Sequence, residues 1–306
     1  MNETVIQTRD ICKTYGKFSA VSNLNLQVSR GDIYALVGQN GAGKTTLLKL
    51  ICGLTPASSG ELEFFGYREE RQIGRARSKM GCMIETPGFF PYLSAKENLE
   101  CYRIQRGIKD AGCVDRALQF VGLADTGRKK FKNFSLGMKQ RLGLALAVLN
   151  DPDLLILDEP INGLDPMGIK EFREILMKLN REKKTTVLIS SHILGELSQI
   201  ATVYGFIRGG ELMEHLSAQE LQEKCRKYLL LNVDDAQKAA AVLKNQPGCA
   251  FSVEDQNTLH VRQGYEKPEL LVQALVKNGV MVSQVYRSGM NLEQYFISLM
   301  EGKKHA

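Results

Sequence analysis

Paired cysteines are absent from this sequence. Its seven cysteines, at positions 12, 52, 82, 101, 113, 225 and 249, form no CxxC pair and are odd in number. That excludes a disulfide framework and a zinc site of ordinary spacing, and leaves core thiols in a reducing cytosol. Long apolar runs are missing too. The longest, LGLALAVL from Leu142 to Leu149, stops at Asn150-Asp151-Pro152, well short of the roughly 20 residues that cross a bilayer. The opening MNETVIQTRD lacks the apolar centre of a signal peptide. A cytoplasmic chain that is not itself a channel is therefore expected. Nor is there strong charge of one sign: 40 Lys and Arg against 34 Asp and Glu leave +6. Such a balance tolerates an anionic ligand such as a nucleotide, but by itself argues for neither nucleic acid nor membrane surface. Tandem repeats and low-complexity tracts are also absent.

What is present is an ordinary globular composition, 43% hydrophobic and 24% charged over 306 residues, enough for one large domain with a small one attached. Residues 4–13 and 21–28 alternate like antiparallel strands, and Asp32 to Gly38 is a buried-strand run ending in glycine. A helix is expected over 44–52, short strands over 61–66 and 81–85, and helices over 95–105, 114–121 and 136–149. Strand patterns follow at 153–160, 185–192 and 203–208, with helices from Met167 to Leu179 and after His192. Strands alternating with helices give an α/β layer with parallel strands at its centre. Beyond Leu216 the pattern changes. A linker helix (218–225) precedes strand 227–233, helix 235–245, strands 249–253 and 257–262, helix 267–277 and strand 280–286. That β-α-β-β-α-β order is the ferredoxin-like arrangement. A last amphipathic helix covers 291–300. No catalytic constellation falls in this part, which reads as a small packing or regulatory domain.

Two motifs carry chemistry. GQNGAGKTT, Gly38 to Thr46, fits G-x-x-x-x-G-K-[ST] between a strand and a helix. Its glycines let backbone amides and the helix N-terminus wrap a phosphate. The nucleotide-binding candidates are Gly38, Asn40, Gly41, Ala42, Gly43, Lys44, Thr45 and Thr46. Lys44 would neutralise β- and γ-phosphates and Thr45 would ligate Mg²⁺. LLILDEP then ends a buried strand in Asp158, at the edge where open α/β sheets place ligands. Asp158 suits a direct or outer Mg²⁺ carboxylate, and Glu159 a base on the attacking water. An acidic pair after a strand is by itself an ordinary turn; the phosphate loop makes it catalytic.

Between these motifs, NFSLGMKQRLGLALAVL (Asn133 to Leu149) resembles the signature sequence and helix of ATP-binding-cassette (ABC) proteins, usually L-S-G-G-Q-Q-Q-R. Ser135 and Gly137 are kept; Leu136 and Met138 depart. The resemblance covers residues 3 to 214 and implies a P-loop cassette over 1–216: a parallel core sheet, an antiparallel β subdomain and a helical subdomain at about 86–150. An accessory domain over 217–306 would follow. It further implies that ATP is sandwiched in a homodimer, with Ser135 and Gly137 reaching the partner's γ-phosphate. Asp165, in Asn162-Gly163-Leu164-Asp165, resembles the loop touching the partner's site. Tyr15 resembles the aromatic that stacks on adenine, although a lone tyrosine is otherwise strand packing. His192 resembles the switch histidine contacting the γ-phosphate, although a lone histidine after a strand is more often structural.

The run CMIETPGFFPYLSAKENL, Cys82 to Leu99, ends its strand with Glu85 and turns at Pro87-Gly88. The family usually has a Mg²⁺-directed glutamine at this point, and Glu85 retains an oxygen ligand there. Glutamate here, with S-x-G-M-K-Q-R in the signature, resembles the branch exporting bacitracin and lantibiotics. The bland alternative is a tolerated swap without meaning for substrate. The resemblance implies an ATPase using ATP and Mg²⁺, peripheral on the inner membrane face through a separate permease, with no nucleic acid as partner. A soluble ABC ATPase of nucleic-acid repair or translation is the rival reading. Repair types carry a long coiled-coil insert and translation types a second cassette, and this chain has neither.

Overall fold

The computed structural model describes residues 3–85, 88–264 and 266–301. The chain divides into two compact units, 1–218 and 219–306. In the first, β1 (Thr4–Tyr15), β2 (Phe18–Leu24) and β3 (Gln27–Ser29) form an antiparallel sheet. The expected strand at 21–28 is two strands, β2 and β3. Asn23, next to the end of β2, is left-handed (φ 44°), and the side chain of Asn25, between the two strands, accepts from the Asp10 amide at 2.9 Å, so the chain turns where its apolar alternation continues.

Next come β4 (Ile33–Val37), α1 (Lys44–Cys52), β5 (Ser59–Phe64), α2 (Glu70–Ala76), β6 (Met80–Met83) and helices α3 (Ala95–Gln105), α4 (Cys113–Phe120) and α5 (Leu136–Ala147). They are followed by β7 (Leu154–Asp158), α6 (Pro166–Lys183), β8 (Thr186–Ser191), α7 (Leu194–Leu197), β9 (Val203–Arg208) and β10 (Glu211–Ser217). Strand β5 joins the first sheet through β1. The central sheet runs β10-β9-β4-β8-β7-β6, parallel except for the β10–β9 hairpin. Strands β4 and β8 are buried at every position, as expected of strands covered on both faces. Register pairs Val37 with Ser191 and Asp158 with Ser190. The ends of β4, β7 and β8 therefore stand side by side.

Helix α2 and strand β10 are additions to the sequence reading. Helix α2 buries only Ile73 and Ala76, too few to mark a period. In β10 only Leu216 is buried, as befits an edge strand. The hairpin is nonetheless tightly specified: a Cβ at Gly205 would lie 2.2 Å from the Tyr34 hydroxyl. Tyr34 is wholly buried, which pushes its phenol pKa up, and its hydroxyl lies 3.2 Å from His215 Nδ1 on β10. In the helical part, Ser94 and Glu97 form a capping box at the start of α3. Buried Asn98 holds the preceding turn, accepting from the Phe90 amide at 2.7 Å and donating to the Phe90 carbonyl at 3.2 Å. The turn expected at Pro87-Gly88 lies partly outside the described residues, at Pro87.

The second unit contains all but the first residue of α8 (Ala218–Lys224), then β11 (Tyr228–Val233), α9 (Ala236–Lys244), β12 (Ala250–Val253), β13 (Thr258–Gln263), α10 (Pro268–Lys277), β14 (Val282–Ser288) and α11 (Leu292–Glu301). Its sheet is antiparallel in the order β12-β13-β11-β14. One face, with Leu229, Leu231, Leu259 and Val261, packs against Ala239 and Leu243 of α9 and Leu271 and Leu275 of α10. Period-2 alternation puts Tyr228, Leu230, His260 and Arg262 on the other face.

Candidate active site

Strand β4 ends at Val37 and the loop from Gly38 begins helix α1. The loop needs glycine where neighbours press closest: at Gly43 φ is 105°, and a Cβ would sit 2.5 Å from the Ala20 carbonyl oxygen. Residues 38–46 thus form a tight backbone turn capping α1, with Asn40 and Gly41 exposed and Ala42 buried. Thr46 lies in the first turn of α1. Lys44 is 5% exposed and folds back over the loop. Its ammonium donates to the carbonyls of Gly38 at 2.7 Å and Gln39 at 3.0 Å, and lies 3.1 Å from Glu159 Oε1. A lysine so buried requires acceptors on every side, and the loop and Glu159 supply them.

Of the acidic pair, Glu159 faces this lysine and Asp158 faces Thr45 and Ser190. Thr45 Oγ1 donates to Asp158 Oδ2 at 2.7 Å, joining residues 113 positions apart. The other Asp158 oxygen accepts from Ser190 Oγ at 2.7 Å, and Ser190 Oγ accepts in turn from the Glu159 amide at 2.9 Å. Glu159 has φ 47°, a conformation that costs a non-glycine residue roughly 1–3 kcal/mol. The Ser190 bond, the Lys44 ion pair and His192 offset that cost. His192 Nδ1 lies 2.8 Å from Glu159 Oε2, a geometry in which an Nδ1–H donates to the carboxylate. Thr45, Asp158, Ser190, Glu159, His192 and Lys44 therefore form one connected network. Ser190 is the member that sequence reasoning missed. The serines before His192 were visible, but only the β7–β8 register reveals which one turns toward Asp158.

The hydroxyl of Thr45 beside the carboxylate of Asp158 is a hard-oxygen set that fits Mg²⁺. Among the described residues no cluster of three acidic, histidine or cysteine side chains forms a protein cage. Mg²⁺ needs none, because it commonly takes one or two protein oxygens plus phosphates and water.

Glu85 is placed differently. It follows β6 with φ 62°, and its carboxylate accepts from Lys49 of α1 at 2.6 Å. That hydrogen bond raises the Lys49 pKa. Glu85 is thus engaged by Lys49, while Thr45 and Asp158 engage each other. Just before it, the Cys82 thiol is pulled down to about 7, chiefly by a hydrogen bond with Cys52.

Tyr15, at the end of β1, is half exposed, with Lys13 Nζ 5.0 Å from its ring centroid. Its open face can stack on a flat base. Ser135 caps α5, accepting from the Met138 amide at 3.3 Å, and Asp165 caps α6, accepting from the Gly168 amide at 3.0 Å. Both line one hollow of about 400 Å³ with Gly137 and Leu164. No residue of the 38–46 loop lines that hollow, so one chain presents its phosphate loop and its signature as two separate surfaces.

Residues 21–162 match the ABC transporter family model. The chain is 42% identical over 98% of its length to the bacitracin transport ATP-binding protein BcrA of Enterococcus faecalis, covering 97% of that protein. It is 39% identical over 74% of its length to the lantibiotic transport ATP-binding protein SrtF of Streptococcus pyogenes, covering 98% of it. In fold, it is similar to an ATP-binding cassette solved as a dimer in a post-hydrolysis state with ADP and Pi. The TM-score is 0.63 at 23% identity, over 70% of this chain and 99% of the other.

Proposed function

This chain belongs to the ABC transporter family, as an ATP-binding subunit with ATPase activity coupled to transport, and on that premise we propose that it drives export of a bacitracin- or lantibiotic-type peptide antibiotic. Two copies would close on two ATP molecules and move a separate permease, holding the subunit on the inner face of the membrane. Among the described residues no helix is long and apolar enough to cross a membrane, and the permease would supply that path. The assigned domains are a cassette over 1–216 and a ferredoxin-like accessory domain over 217–306. The order β12-β13-β11-β14, with both helices on one face, supports the second assignment.

The observation that carries the catalytic reading is the Lys44–Glu159–His192 cluster. ATP phosphates compete with Glu159 for the Lys44 ammonium, because an ammonium within hydrogen-bond reach favours the more highly charged partner. When Lys44 turns to the phosphates, Glu159 keeps its His192 contact and regains a free oxygen. That oxygen accepts a proton from water as the water oxygen bonds to the γ-phosphorus and the bond to ADP breaks. His192 holds the carboxylate and can reach the γ-phosphate from its other nitrogen. Mg²⁺, held by Thr45 and Asp158, would supply neutralising charge at the phosphates. Tyr15 stacks on adenine, and Ser135, Gly137 and Asp165 act on the nucleotide held by the other copy. Glu85 takes its metal-directed role only by leaving Lys49.

The test is Glu159→Gln, which removes the base and the Lys44 ion pair while preserving shape. ATPase turnover should fall at least about 100-fold while MgATP is still bound. Light scattering should detect a dimer that appears with MgATP. Wild-type turnover in the variant would refute the role of Glu159; binding of MgATP without dimerisation would refute closure by this subunit alone.

A further inference from the structure

Beyond the transport reading, which uses the first unit, the second unit contains a built hollow on the open face of its sheet. Its volume is about 410 Å³, within the range of small-ligand sites. Tyr228 of β11 and His260 of β13 form its floor, with rings stacked 4.6 Å apart at 19°. Around that floor lie Arg226 and Arg262, with Lys224, whose ammonium donates to the Tyr295 hydroxyl at 3.2 Å, against one acid of the lining, Glu223. His260 has a carboxylate neighbour in Glu254 at 2.7 Å. Arg226 and Arg262 have no carboxylate partner among the described residues. Bringing like charges to one concavity costs free energy that an anion would relieve, and two guanidinium forks match phosphate oxygens in a way that scattered ammonium groups do not. The wall is also fixed: Gly289 has φ 94°, and a Cβ there would lie 2.5 Å from the Arg226 carbonyl oxygen. Any other residue there would collide with the backbone of Arg226 and Lys227.

We propose that this hollow in the C-terminal unit binds a phosphate-bearing ligand, with Arg226 and Arg262 gripping phosphate and the Tyr228–His260 pair offering a flat apolar surface beside it. The phosphate can belong to a free small molecule or to a lipid headgroup. The experiment uses the full chain carrying Lys44→Ala, which removes the P-loop lysine from phosphate binding. Pyrophosphate is titrated calorimetrically, and co-sedimentation with phosphatidylglycerol vesicles is measured against phosphatidylcholine. Both are repeated with Arg226→Gln and Arg262→Gln together, and with a charge-matched control, Lys244→Gln and Lys277→Gln, on exposed positions of α9 and α10. A loss of tenfold or more in pyrophosphate affinity, specific to the arginine pair, supports a free phosphate ligand. A loss confined to phosphatidylglycerol vesicles and specific to the same pair supports a headgroup. Equal behaviour of the arginine pair and the control in both assays, including no binding by either, overturns the proposal. All these arginines are exposed, so unchanged thermal unfolding serves as the folding check.

Discussion

The two units are built to different rules. Every buried polar or charged side chain among the described residues, from Thr8 and Lys44 to Ser190 and Ser191, belongs to the first. So does every described non-glycine residue with positive φ, including Glu85 and Glu159. The second has a core whose buried members are aliphatic side chains, with Cys249 and Phe251 packed at its margin, between one sheet face and two helices. Burying polar groups and bending backbone both cost stability, and the first unit accepts both costs, at Lys44, Ser190 and Glu159 of the candidate site among other places. The second places most of its polar groups at the surface, the exceptions including His260 Nε2, 2.7 Å from Glu254, and the buried Tyr295, whose hydroxyl accepts from Lys224.

Substitutions test that contrast. The largest effect on stability is expected in the second unit, where nothing but packing resists: Leu231→Ala, at a fully buried position, should cost about 2–5 kcal/mol. Chemical denaturation would measure it, and MgATP affinity of the folded protein should not change. In the first unit, Gly205→Ala forces a methyl group against the Tyr34 hydroxyl and should cost about 1–3 kcal/mol by the same measurement. Ser190→Ala should cost a similar amount of stability and slow turnover about tenfold. It removes the hydroxyl shared by Asp158 and the Glu159 amide, and a hydrogen bond to a charged group contributes about 1.5–3 kcal/mol. An unchanged kcat would mean that Glu159 is positioned without it.

The smallest stability effect belongs to Glu85→Gln. The Lys49–Glu85 pair is exposed enough, with Glu85 67% accessible, to contribute under about 1 kcal/mol. Because the folded Lys49 pKa is raised, that contribution is present below the unfolded lysine value of about 10.4 and is lost as pH rises through the folded value. The stability difference between wild type and variant should therefore shrink above about pH 10. If Glu85 acts only through Lys49, turnover at neutral pH will be unaltered in the variant. A changed turnover would assign Glu85 a part in the chemistry or in its coupling to the permease.

Local pattern alone announced the loop from Gly38 to Thr46, the buried strand ending in Asp158, and every element of the second unit within a few residues. Each of these is encoded by neighbours in the chain: glycine spacing and apolar periodicity. The split of residues 18–29, the edge strand β10 and helix α2 were not legible, since each depends on partners elsewhere or buries too little to leave a period. The same divide runs through the site. Residue types and order fixed which groups can bind phosphate and move a proton. Which of them touch was decided by the parallel register of β4, β8, β7 and β6, which sets Thr45 on Asp158, Ser190 beneath Glu159, Lys44 against its carboxylate and Lys49 on Glu85. Those contacts join residues tens to more than a hundred positions apart, and strand register is a property of the whole packed sheet.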